Sequence, residues 1–197
     1  DYYNKSAFNI DPDDDIVLLH VSDCQFGDPS FDHRSFMMER RISLYLQEID
    51  IEPTFLVISG DISFSGKKEQ FDEAASWIEQ LIRGIWKIRK EDSIDPYRDR
   101  IIIVPGNHDV DFDVMASMYY EHSYKENKFL KRKNAKHEYA LYGLAEYTRF
   151  VTTMTKDKRI QKNPDLSWVN DSFLHLGIRF ITLNTASDIN CSTPENL

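Results

Sequence analysis

Three short apolar runs punctuate the first half of the chain: Ile16 to Val21, Phe55 to Ile58 and Ile101 to Val104. Near-continuous apolar runs of this length predict strands covered on both faces of a sheet. Between the second and third runs, Phe71, Ala74, Ala75, Ile78, Leu81, Ile82, Ile85 and Ile88 recur every three or four positions, which predicts an amphipathic helix from Lys67 to Lys90. A weaker helical spacing covers Arg34 to Ile49, with Phe36, Met37, Leu44 and Leu46 as its core contacts. Strand, helix and strand in alternation imply right-handed crossovers and a largely parallel sheet, hence an α/β fold. In open sheets of that kind, ligands collect at the carboxyl ends of the strands.

Beyond Asp111 the pattern changes to a polar and aromatic helical region, with Leu141, Leu144, Tyr147, Val151 and Met154 at helical spacing. It is read as a cap-like insert at about 111–165, lying over the site within one domain that spans the whole chain. Lys131, Arg132 and Lys133 are read as a solvated face in preference to an anion-steering patch. The segment SWVNDSFLHLGIRFITLNTA predicts two strands with a turn near Gly177. His20, inside the first apolar run, is read as a hydrogen-bonded core histidine in preference to a ligand. Asp13, Asp14 and Asp15 are read as a solvated acidic lead-in in preference to a calcium site.

Composition narrows the function classes. With 197 residues and 41% hydrophobic content the chain can build one substantial core. The net charge of −9 argues against holding nucleic acid through a broad basic surface, although bound cations would offset part of it at a local groove. Cys24 and Cys191 form no zinc or disulfide framework and are expected as reduced thiols of a cytoplasmic protein. No apolar stretch reaches the length of a membrane span and no signal-peptide pattern opens the chain. The first residue is Asp1, and the chain is expected to be part of a longer polypeptide.

Each apolar run breaks off at side chains that bind metals: the first at Asp23 and Gln25, the second at Asp61, the third at Asn107 and His108. Oxygen ligands gathered at one sheet edge repel one another unless cations lie between them. Gly60 and Gly106, directly before Asp61 and Asn107, permit sharp bends there. A carboxylate such as Asp61 can bridge two cations roughly 3.5–4 Å apart. His108 suits protonation of a leaving alkoxide, and Asp109 is expected to hold its imidazole in one orientation.

These three segments resemble the first three motifs of the calcineurin-like metallophosphoesterases, in the order DxH, GD and GNHD. The resemblance covers Ile16 to Asp109 directly, and LGIRFITLNTA is similar to the strand that precedes the family's later motifs. It implies a layered α/β/β/α sandwich, here incomplete at the C-terminus, with a dinuclear site at the strand ends. On these positions Asp23 would bind the first metal, Asp61 both, and Asn107 the second. His108 would contact the phosphate as proton donor or charge stabiliser, with Asp109 behind it. Water activated between the two cations would attack phosphorus in line. Manganese is the leading cation, with iron, zinc, magnesium and nickel as alternatives.

Three departures qualify the resemblance. The family's DxH reads Asp23-Cys24-Gln25, so an amide oxygen replaces an imidazole and first-metal affinity is expected to fall or shift to harder ions. In GDISFSG, Phe64 stands where relatives often carry Asp, and the Arg of the phosphoprotein-phosphatase motif is missing. The later isolated His and GHxH motifs are not found; His122, His137 and His175 lack that context, and weak or no activity is expected of this chain by itself. The expected function is hydrolysis of phosphoesters, with phosphodiesters such as nucleotides or nucleic acid favoured. A phosphomonoesterase and a noncatalytic scaffold are the alternatives.

Overall fold

The computed structural model describes residues 15–30, 37–118, 141–157, 160 and 166–186. Asp13, Asp14, Phe36, His122, Lys131, Arg132, Lys133, His137 and Cys191 lie outside them, and Asp15 is exposed. β1 (Leu18–Val21), α1 (Met38–Glu48), β2 (Phe55–Ser59), α2 (Lys68–Ile85) and β3 (Ile101–Val104) follow one another. The strands form one parallel sheet in the order β1-β2-β3. Val21 pairs with Ile58, and Ser59 with Val104. All three carboxyl ends therefore emerge at one edge.

The core is what the strongest periodicity demanded. Phe71, Ala74, Ile78, Leu81, Ile82 and Ile85 of α2 are buried against Leu56 and Ile58 of β2 and Ile101 and Ile103 of β3. Burying each large apolar side chain contributes about 1.5–3 kcal/mol. The helix starts where Gln70 Oε1 accepts the backbone N–H of Ser65 at 2.9 Å and of Lys67 at 3.3 Å, satisfying groups at its first turn. It stops at Ile85, short of the expected Lys90. Trp86 is drawn aside by donating Nε1–H to the Pro53 carbonyl at 2.7 Å, and Lys87 turns into the left-handed region with φ 51°. Arg83 then holds the carbonyls of Arg89 and Asp92 at 2.8 and 3.0 Å.

Two apolar segments sit differently from their expected placement. Met37 and Leu44 are 52% and 54% exposed, not core contacts; α1 turns Glu39 and Ser43 inward, with Leu46 partly buried. The cause is close approach of the helices. A Cβ on Gly84 of α2 would collide with Ser43 Oγ, so only small groups fit at this crossing. Among the described residues β1 is an edge strand and is not covered on both faces, with Leu18 54% exposed. His20 is accordingly an exposed histidine, with Nε2 at 2.6 Å from Ser59 Oγ, and not a core one.

A second sheet joins β4 (Trp168–Asn170) and β5 (Phe180–Thr182) antiparallel, with Gly177 at φ 73° between them. Phe55 meets Phe173 and Phe180 edge-on at 4.6 and 4.9 Å, which anchors this unit at the amino end of β2. α3 (Ala145–Thr155) packs on α2 through Phe150 against Phe71, with Arg149 paired to Asp72 at 2.8 Å. A parallel sheet with helices and a short second sheet is the α/β architecture that the sequence pattern implied. Among the described residues, no helix is long and apolar enough to cross a membrane.

Candidate metal centre

Asp23, Gln25 and Asp61 all adopt left-handed backbone conformations, with φ of 55°, 44° and 50°. Residues with a Cβ avoid that region at a cost of about 1–2 kcal/mol each. Three such residues at one sheet edge mark a place where side-chain direction overrides backbone comfort. The surrounding loops are laced together to hold them. Asp23 N–H donates to the Gly60 carbonyl at 3.3 Å, Gln25 N–H to that of Asp61 at 2.9 Å, and Phe26 N–H to that of Ile62 at 2.8 Å. Phe64 N–H returns to the Phe26 carbonyl at 3.0 Å, while the Phe26 ring is buried against Trp77 at 5.6 Å.

The third loop meets the second through its glycines. A Cβ on Gly106 would collide with the carboxylate and backbone of Asp61, and one on Gly60 would lie 2.8 Å from Gly106 Cα. That closeness lets His108 N–H donate to Asp61 Oδ1 at 2.9 Å. The other carboxylate oxygen, Oδ2, bonds no described residue.

Asn107–Asp109 form a single 3-10 turn after β3, which turns consecutive side chains to different sides. Asn107 is exposed and His108 half-buried, whereas Asp109 is fully buried. His108 Nδ1 lies 2.9 Å from the Phe64 carbonyl. Because a carbonyl only accepts, Nδ1 carries the proton and Nε2 is left for other chemistry. Asp109 does not orient this imidazole, contrary to the sequence expectation. Its Oδ1 accepts Ser63 N–H at 2.8 Å and Ser63 Oγ–H at 3.1 Å, and its Oδ2 accepts Gly106 N–H at 2.9 Å. Asp109 is therefore a positioning residue that clamps two loops beneath the site.

The surroundings of these loops are partly dry and negative. Burial pushes the Asp109 carboxyl up to about 6, against the opposing hydrogen bonds from Gly106 and Ser63. Burial, then the charges of Asp109 and Asp23, pushes the Cys24 thiol up to about 11. Outside the immediate loops, Lys67 Nζ bridges Asp111 at 2.8 Å and Asp113 at 2.6 Å, tying the start of α2 to the segment after the turn. Ser63, the Phe64 carbonyl and this Lys67 bridge carry no metal-type signature in sequence. Only their proximity to GD and GNHD could have flagged them.

Asp23 and Asn107 are exposed, Gln25 and Asp61 half-buried, and all four belong to the loops at the carboxyl edge. Two carboxylates and two amides make an all-oxygen donor set, which fits a hard divalent cation better than a soft one. Among the described residues, no three His, Cys, Asp or Glu side chains gather as a metal-holding group. His175 lies beside Phe173, in the aromatic group at the opposite end of β2.

In open α/β sheets, ligands bind outside the carboxyl ends of the strands, the edge from which the loops of Asp23, Asp61 and Asn107 emerge. The chain matches the sequence profile described as calcineurin-like phosphoesterase over residues 16–193, and it belongs to that family. A comparison with curated proteins gives no match. The family consists of phosphoester hydrolases that use divalent metals.

Proposed function

We propose that the chain hydrolyses phosphodiesters, nucleotides or nucleic acid foremost, at a site for two divalent cations with manganese preferred. Asp23, Gln25, Asp61 and Asn107 would hold the cations. The observation that carries this reading is the His108 N–H to Asp61 Oδ1 bond, which joins the proposed bridging carboxylate to the loop of the proposed acid. Bound cations supply Lewis acidity and acidify water. The chain's own part is to aim and to protonate. Asp61 keeps Oδ2 for a ligand while Oδ1 fixes the His108 loop, and the Phe64 carbonyl accepts from Nδ1–H, so that the doubly protonated ring would give its Nε2 proton to the leaving oxygen and be left as the neutral Nδ1–H imidazole. Asp109 holds the two loops in register from below.

The diester preference rests on the sequence GDISFSG, which lacks the guanidinium that grips a phosphomonoester. Turnover of bis(p-nitrophenyl) phosphate by the full-length protein with manganese, compared with p-nitrophenyl phosphate, tests it. Faster turnover of the diester is expected; turnover of the monoester alone would make the chain a phosphomonoesterase. The presence of only two carboxylates among the four proposed ligands favours a second reading, a noncatalytic scaffold. Unchanged biological activity in Asp61→Asn would select it.

A further inference from the structure

We propose that the ring of Phe64 is a stacking platform for the base of a nucleotide, so that this residue selects an aromatic substituent on the phosphoester. The inference rests on the phosphoesterase reading above and names its substrate class.

Phe64 stands three residues after Asp61 in a loop whose two intervening residues turn inward. Ile62 and Ser63 are both fully buried, and Phe64 is 37% exposed. The backbone does not let this residue wander, because its N–H is bonded to the Phe26 carbonyl at 3.0 Å and its carbonyl to His108 Nδ1 at 2.9 Å. The ring lies beside the imidazole, centroids 6.0 Å apart and planes inclined by only 23°. Single exposed apolar side chains are ordinary on protein surfaces. This one differs because its own carbonyl fixes the imidazole next to which its ring lies.

Two near-parallel flat groups at the rim offer a face to a third. A base stacked on Phe64 would place its attached phosphate on the side of His108 and Asp61, without any hydrogen-bond readout of base identity. A single ring serves one base. The net charge of −9 offers no broad basic surface along which a strand's further phosphates would lie, so the occupant inferred is a free nucleotide and not a strand.

Calorimetric titration of the manganese-loaded chain with two phosphodiesters, the methyl ester of adenosine 5′-monophosphate and the methyl ester of ribose 5-phosphate, tests this directly. The nucleotide should bind about tenfold more tightly, the scale of one base–aromatic stack. Phe64→Leu should bring the two affinities together, whereas Phe64→Trp should preserve the difference and guard against misfolding of the leucine variant. Equal binding of the two ligands by the unaltered chain, or a preference that survives Phe64→Leu, would overturn the stacking role alone. Failure of both ligands to bind would overturn the phosphoesterase reading with it. A thymidine hexanucleotide binding far more tightly than the mononucleotide would overturn the choice of a free nucleotide.

Discussion

The backbone N–H of His108 donates to Asp61 Oδ1 at 2.9 Å, so one carboxylate serves as a fixture of the GNHD loop and as a proposed metal ligand. The two duties separate by substitution. Asp61→Asn keeps an oxygen for the N–H and a residue type tolerant of φ 50°, so the fold should survive with a stability change below about 1 kcal/mol. Manganese uptake should be lost. Asp61→Ala removes the acceptor as well and should cost a further ~1–3 kcal/mol in chemical denaturation.

Gly106→Ala should be among the most damaging single-atom additions in the chain. The new Cβ meets the Asp61 carboxylate and backbone, neither of which can retreat without breaking the contact between the second and third loops. A loss of about 2–4 kcal/mol is expected, within the range for severe steric substitutions. Denaturant melts together with a manganese titration check both consequences.

Asp109→Asn exchanges an acceptor-only group for one that also carries an NH2. Ser63 N–H, Ser63 Oγ–H and Gly106 N–H all face its two oxygens, so the amide nitrogen must confront a donor. Destabilisation by about 2–4 kcal/mol is expected, from a buried donor left unpaired and a clamp half lost. Ser63→Ala, which leaves Gly66 N–H without its 3.0 Å acceptor, should cost less, about 1–3 kcal/mol.

Cys24 should be a slow thiol despite lying beside a ligand loop. Burial, then the charges of Asp109 and Asp23, holds the thiol up at about 11, which leaves far less thiolate at pH 8 in the native chain than in the unfolded one. Peptide-level mass spectrometry after iodoacetamide treatment of native and unfolded chain measures the ratio. Equal rates would contradict the burial that causes the shift.

Gln25→His should tighten manganese binding, since imidazole is the stronger donor and histidine is one of the residue types found at positive φ. No gain in calorimetric affinity would mean that residue 25 does not face the ion.

Much of this architecture is legible before any coordinates. The apolar runs at Phe55 and Ile101 and the periodicity of Phe71 to Ile85 follow from burial alone, and the parallel order follows from the alternation of elements. The loops proposed to hold metal are located for the same reason, because they sit where those runs stop. Met37, Leu44 and His20 depart from the pattern because their positions depend on what lies across from them. Ser43 fits against Gly84, and among the described residues β1 lies at an edge. Adjacency in sequence points Asp109 at the imidazole. The 3-10 turn sends it inward to Ser63 and gives His108 to a carbonyl that no side-chain motif encodes.

Diffraction from crystals of the chain grown with manganese, recorded at an energy where that metal scatters anomalously, addresses the central claim most directly. An anomalous peak contacting both Asp23 and Asp61 is predicted. Peaks elsewhere only, with those two carboxylates touching no metal, would contradict it.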